Sequence, residues 1–190
     1  MGKLLSITGI DGSGKTTQVQ LLKEYLSKKK QTYLLKFPNK ESEMGRLIYK
    51  QLEDPNHDPY FMQGAQTLCR LENQTKIIFL LNSGYDIICD RYIVDSVVYG
   101  SCAGVNADWI VDINSHLVQP DIDIYIDIPV EESFKRREVR RDSYESNFEF
   151  LQKVRDLYRY EFSKQGNRYI IDGIQSVEDI QKQIRYLIEN

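Results

Sequence analysis

The stretch Gly9-Ile10-Asp11-Gly12-Ser13-Gly14-Lys15-Thr16 constrains this chain more than any other. It fits the phosphate-binding loop pattern G-x-x-x-x-G-K-[ST] at every fixed position. The apolar run Leu4-Leu5-Ser6-Ile7-Thr8 before it reads as a buried strand, and Val19, Leu22 and Leu26 after it recur at helical spacing. A strand–loop–helix setting is what the motif requires, because its chemistry is geometric. Gly9, Gly12 and Gly14 can take backbone angles closed to other residues, so amide N–H groups can crowd around a phosphate. A helix opening near Gly14 aims the positive end of its dipole at the same point. Lys15 then neutralises the outer phosphates, and the Thr16 hydroxyl holds Mg²⁺. A glycine-rich turn kept for tight packing would explain Gly12 and Gly14, but not Lys15 and Thr16. The expectation is a nucleotide-phosphate site formed by residues Gly9 through Thr17.

The rest of the chain alternates strands with helices. Strands are predicted at residues 4–8, 32–37, 85–90, 122–128 and 168–171, with helices between them, among them 44–52, 60–81, 93–102, 108–117, 134–141 and 147–163. Ser176 and Asp179 form a capping-box pattern opening a last helix with Val177, Ile180, Ile184 and Leu187 on one side. Alternation of this kind implies a five-stranded parallel sheet covered by helices on both faces, an α/β fold of the P-loop NTPase type. At 190 residues with no repeat or long linker, one domain spanning 1–190 is expected. Ligands of such sheets bind beyond the C-terminal strand ends. That rule gathers the loop, Phe37 to Lys40, Asp90 to Tyr92 and Asp127 at one edge.

Composition excludes several classes. A net charge of −3 argues against a general nucleic-acid binder. No apolar run approaches the ~20 residues that cross a bilayer, and no secretory signal is legible. Cys69, Cys89 and Cys102 are odd in number and lack metal spacing, which fits reduced, packed thiols and a cytoplasmic protein.

Two strands end in a carboxylate suited to organising a metal, Asp90 and Asp127. Asp90 is the stronger candidate because Arg91 beside it could hold an acceptor phosphate; Asp127 reads better as a strand-end cap. The basic run Lys135, Arg136, Arg137, Arg140 and Arg141 is either a solvated helix face or an arginine-bearing lid. A loose phosphoryl-transfer transition state spreads charge over equatorial oxygens, and the phosphate loop here contains no arginine, so the lid reading is preferred.

Taken in order, Gly9 to Gln18, Phe37-Pro38, Arg70-Leu71-Glu72, Asp90-Arg91-Tyr92, Pro120-Asp121, Tyr144-Glu145 and Ile171-Asp172 resemble the thymidylate kinases, P-loop kinases that phosphorylate dTMP. The resemblance covers nearly the whole chain. It implies an acceptor-binding region over about 37–75 and a lid over about 134–147. It further implies that Asp11 contacts the sugar 3′-hydroxyl, Arg91 holds the acceptor phosphate beside Asp90, and Arg70 reaches the base. Tyr99 would close the sugar pocket, Phe37 would line it, and Lys40 stands where an arginine usually binds the acceptor phosphate. Some members carry an arginine just after the loop carboxylate; Gly12 holds that place here, which implies that Arg136, Arg137, Arg140 or Arg141 of the lid supplies the charge. A homodimer is also implied.

The chain departs from the family pattern mostly around the base. Gln66 replaces a stacking phenylalanine, and Gly100 stands where glutamine or threonine usually approaches the base. Asp95 replaces a serine, leaving Ser96 one place later as the hydroxyl candidate, and Ser143 replaces an arginine. The expected activity is Mg²⁺-dependent transfer from ATP to a deoxynucleoside monophosphate, dTMP first. The alternatives are a deoxynucleoside kinase acting on a 5′-hydroxyl and a P-loop protein without catalysis. A GTP switch is disfavoured, since Asn39-Lys40-Glu41-Ser42 lacks the aspartate of a guanine-reading motif.

Overall fold

Five short runs of apolar and β-branched residues form strands: β1 (Leu4–Thr8), β2 (Thr32–Lys36), β3 (Asp86–Asp90), β4 (Ile122–Asp127) and β5 (Arg168–Asp172). The computed structural model describes residues 1–54, 56–136, 147–164 and 166–189. Within them the strands pair in parallel throughout, in the order β2-β3-β1-β4-β5. The described helices are α1 (Lys15–Ser27), α2 (Glu43–Leu52), α3 (Pro59–Leu71), α4 (Gln74–Asn82), α5 (Ile93–Cys102), α6 (Ala107–Asn114), α7 (Val130–Arg136), α8 (Phe148–Ser163) and α9 (Val177–Glu189).

Side chains alternate across a strand, so β1 and β3, buried at every position, feed both faces of the sheet. Leu5, Ile7 and Ile88 meet Val19 and Leu22 of α1 and Ile180 and Ile184 of α9. Leu4, Ile87 and Cys89 point the other way, into Met62, Ala65 and Cys69 of α3 and Ile77 and Leu81 of α4. Further along that face, Tyr125 of β4 stacks on Tyr158 of α8 at 4.7 Å and joins Val94 and Val98 of α5. Each fully buried Leu or Ile contributes roughly 1.5–3 kcal/mol, so burial on two faces carries most of the fold's stability. The chain leaves β1 for the α1 face and β3 for the α5 face. A crevice therefore opens between the C-terminal ends of these adjacent strands, the switch point where ligands of such sheets bind.

The helix expected over 60–81 is two helices. The Asn73 side-chain amide donates to the Cys69 carbonyl at 3.1 Å, taking the acceptor that its own backbone N–H would use in a continuous helix. That N–H turns instead to the Arg70 carbonyl, 3.1 Å away, and α4 starts afresh at Gln74. After α1, two lysines of the Lys28-Lys29-Lys30 run are paired, Lys29 with Glu189 at 2.6 Å and Lys30 with Asp86 at 2.7 Å. In the basic segment, α7 opens earlier than expected, at Val130, and its described part ends at Arg136; Arg137, Arg140 and Arg141 lie outside the described residues.

One carboxylate is buried against its own interest. Asp123, near the start of β4, is only 6% exposed, and its Oδ1 has no hydrogen-bond partner among the described residues. Arg168 stands 3.9 Å away, too far for a hydrogen bond. Burial pushes the carboxyl up from 3.8 to about 6, and the nearby Ser6 hydroxyl and Arg168 charge reverse this only in part. Folding thus favours the protonated form. The associated stability is complete below the unfolded value and is lost as pH rises to about 6, on the order of 3 kcal/mol in all. Asp123→Asn is expected to raise the melting temperature by several degrees at pH 8, with a gain that shrinks as pH falls from 6 toward 4. A difference between the variant and the native chain that does not change with pH would refute this assignment.

Candidate active site

The loop between β1 and α1 has the backbone its glycines predict. Gly9, Gly12 and Gly14 all have positive φ, at 154°, 82° and 88°. At Gly9 a Cβ would stand 2.6 Å from Ser13 Oγ and 2.8 Å from the Ile126 carbonyl, so no side chain fits there. Gly14 caps α1 in the left-handed conformation, and the helix opens at Lys15. Ile10 is completely buried in the core beside Val94 and Val98, so it reaches the site only through its backbone. Ser13 is likewise buried and donates its N–H to the Ile10 carbonyl at 3.1 Å. Gly12, Thr16 and Thr17 line the cleft in front of the loop.

Two cations converge on one oxygen. Lys15 Nζ lies 2.9 Å from Asp11 Oδ1, and Arg91 Nη2 lies 2.5 Å from the same atom. Lys15 belongs to the phosphate loop and Arg91 to the end of β3, so this oxygen marks the junction between the two halves of the cleft. Burial and then the Arg91 charge hold the Lys15 ammonium below its ordinary value, against Asp11 and Asp90. Burial also acts to lower Arg91, but Tyr99, Asp11 and Asp95 around it more than reverse that. Arg91 is moreover the non-glycine residue with positive φ among the described residues, at 67°. Such a conformation costs about 1–3 kcal/mol and persists only where its surroundings impose it.

The surroundings here centre on Asp95. Its Oδ1 accepts from Thr8 Oγ1 at 2.7 Å, Tyr158 OH at 2.8 Å and Arg91 Nη1 at 2.9 Å, while Oδ2 accepts the Tyr92 N–H at 3.0 Å. The last bond caps α5, whose N-terminal dipole favours a carboxylate at this point. The Tyr99 ring lies 5.5 Å from the Arg91 guanidinium and completes the clamp. Sequence reasoning met Asp95 only as a departure from a serine. No local signal could identify it as a hub, because its partners Thr8 and Tyr158 are 87 and 63 residues away.

The cleft has a volume of about 850 Å³ and runs from the loop past Arg91 to α3. Phe37, Lys40, Gln66, Arg70, Ser96, Tyr99 and Arg136 all line it, together with Lys15, Asp90 and Arg91. Phe37 is 2% exposed and packs against Tyr92 at 5.5 Å, so it serves the core and the cleft wall together. Arg70 is not a surface residue: it is 2% exposed, donating Nη1 to Ser96 Oγ at 2.9 Å and Nη2 to the Tyr92 carbonyl at 2.7 Å. Lys40 lies over the Tyr49 ring at 4.5 Å. Arg136 is tied to Glu132 at 2.9 Å and to the Gly173 carbonyl at 3.1 Å. Asp127 stands apart from this group, clamped by Arg155 at 2.7 and 3.0 Å and by the Tyr125 hydroxyl, as a strand-end anchor for α8. Further liners escaped sequence reasoning, Lys36 and Gln63 among them. Lys36, at the end of β2, lies 3.7 Å from Asp90 Oδ2. Gln63 precedes Arg70 by two helical turns, a spacing that would have found it.

Asp90 and Thr16 fit a hard cation. The Thr16 hydroxyl donates to Asp90 Oδ2 at 3.2 Å, whereas the buried Asp90 Oδ1 has no hydrogen-bond partner among the described residues. No cluster of three His, Cys, Asp or Glu suited to a metal occurs among the described residues. That is the donor set Mg²⁺ accepts: one carboxylate and a hydroxyl, with the substrate's phosphates and water completing the shell.

The sheet order, the phosphate loop and the cations facing it across the crevice define a P-loop phosphotransferase. Its sequence relatives narrow the class. The thymidylate kinase family matches residues 7–184, and the chain belongs to that family. It is 38% identical to a probable thymidylate kinase of Methanococcus aeolicus, over 97% of this chain and 94% of the relative. A probable thymidylate kinase of Pyrococcus horikoshii is 33% identical over 100% of this chain and 97% of its own length. Among solved structures, a thymidylate kinase from Candida albicans superposes with a TM-score of 0.88 at 28% identity, covering 99% of this chain and 91% of that one. The family's phosphoryl donor is ATP. No described helix is long and apolar enough to cross a membrane.

Proposed function

We propose that the protein transfers the γ-phosphoryl group of ATP to dTMP, giving ADP and dTDP for deoxynucleotide synthesis. The single observation that carries the reading is the Asp11 oxygen shared by Lys15 and Arg91. A cation of the donor loop and a cation of the opposite wall converge where a migrating phosphoryl group must pass.

In this reading the loop amides from Gly9 to Thr17 and Lys15 bind the donor phosphates. Arg91, with Lys40 and Lys36 nearby, binds the acceptor phosphate. An anionic oxygen of that phosphate attacks the γ-phosphorus, the bond to the β–γ bridging oxygen breaks, and its electrons leave with ADP. No protein base is required, because the attacking oxygen already carries charge. Thr16 and Asp90 hold Mg²⁺, which neutralises charge on the donor phosphates. Arg136, with Arg137, Arg140 and Arg141, supplies further positive charge from the lid over about 134–147. Asp11 then turns to the acceptor sugar, Tyr99 closes over it, and Phe37, Gln66, Arg70 and Ser96 enclose the base in the region of about 37–75.

The same reading makes the protein a cytoplasmic homodimer whose ligands are ATP and dTMP and neither nucleic acid nor membrane. Exposed Leu68 and Leu71 on α3 and Ile78 and Phe79 on α4 support a self-contact. The test of function is ADP release with ATP and a panel of nucleosides and monophosphates. Rapid turnover is expected with dTMP and little with thymidine; activity with thymidine alone would overturn the reading.

A further inference from the structure

Among the described residues, Gln63 is the one buried amide of the cleft wall whose oxygen is left unpaired. It is 4% exposed, yet its Oε1 has no hydrogen-bond partner among the described residues. Buried amides are normally satisfied, and an orphan at the rim of a ligand cleft is what remains when the partner is the ligand. Gln63 shares a face of α3 with Gln66 and Arg70, which also line the cleft. Met62, Phe37 and Leu52 add apolar wall to the same cleft. Apolar wall beside a neutral carboxamide suits a flat heterocycle better than a phosphate.

The neighbouring helix makes room for this side chain. A Cβ added to Gly100 of α5 would meet Ile110 Cδ1 of α6 at 2.6 Å and Gln63 Cγ and Cδ at 2.9 Å. Any other residue at position 100 would therefore displace the amide, so the absent side chain on α5 lets one from α3 through. A carboxamide suits an imide edge, since its oxygen can accept from an N–H while its nitrogen donates to an adjacent carbonyl. Resting on the proposed dTMP reading, we infer that Gln63 is a base-reading residue, its carboxamide pairing with the N3–H and a flanking carbonyl of the acceptor base.

The probe is 3-deaza-dTMP, which keeps the outline of thymine but loses the imide edge: a C–H replaces N3–H, and the flanking C4 carbonyl becomes an enol hydroxyl. The native enzyme is expected to lose about tenfold or more in kcat/KM on this analogue relative to dTMP, a loss of about 1.4 kcal/mol per decade. Gln63→Leu should lose a similar factor on dTMP, mainly through KM, and should treat the two substrates alike within about twofold. Gln63→Met carries the same expectation if the leucine variant fails to fold. A native enzyme that uses both substrates equally, or a folded variant that still discriminates as the native one does, overturns the assignment of Gln63 alone. A native enzyme inactive with dTMP overturns the functional reading beneath it.

Discussion

Lys15→Met is expected to lower kcat by a factor on the order of 10³ or more, with the melting temperature unchanged or raised. Both halves of that outcome follow from the ligand-free geometry. Lys15 is 7% exposed, and burial together with the Arg91 charge works against its protonation. A methionine of similar length removes a desolvated charge and a repulsion, and Asp11 keeps its 2.5 Å bond to Arg91. Nothing in the core depends on the ammonium. The transition state does, because no other cation of the described loop stands at the donor side. Steady-state kinetics beside a thermal melt would decide it; a variant retaining a tenth of the native kcat would contradict the assigned role.

Asp95→Ala is expected to damage fold and catalysis together, losing roughly 3–5 kcal/mol of stability, or about 10 °C in melting temperature. The substitution strips the shared acceptor from Thr8, Tyr158, Arg91 and the Tyr92 N–H in one step. It also removes a clamp that offsets the strained backbone of Arg91, so kcat/KM should fall even at temperatures where the variant is folded. Asp95→Asn keeps the shape and one acceptor oxygen, and should land between the two. An alanine variant that melts within two or three degrees of the native chain would show that the hub is redundant.

These two residues mark the boundary of what one sequence discloses. Lys15 is legible because the phosphate loop is local: eight consecutive residues fix its backbone, its helix dipole and its chemistry. The strands were legible for a related reason, since burial on both faces writes a continuous apolar run such as Leu4 to Ile7 or Ile87 to Cys89. Asp95 could be found only as a deviation, because its meaning resides in side chains brought from β1 and α8. Arg70 posed the same difficulty, an arginine on a helix being exposed by default until Ser96 and the Tyr92 carbonyl are seen to bury it. The break between α3 and α4 was hidden by apolar periodicity that runs unbroken across Asn73 while the backbone does not. The base end was the least legible part: helical spacing from Arg70 offers Gln63 and the family pattern flags Gly100, but that the two meet depends on two separate helices.

The oxygen of Asp11 that touches both Lys15 and Arg91 has a kinetic meaning as well. Before any nucleotide arrives, the junction of the two half-sites already holds its own counter-ion. Incoming phosphate must exchange with this tethered carboxylate, so the binding energy realised there is a difference between two anions and not a full Coulomb attraction. That difference protects turnover. Once the phosphoryl group has moved, the carboxylate is in place to reclaim both cations, and the highly charged products face a competitor that never diffuses away.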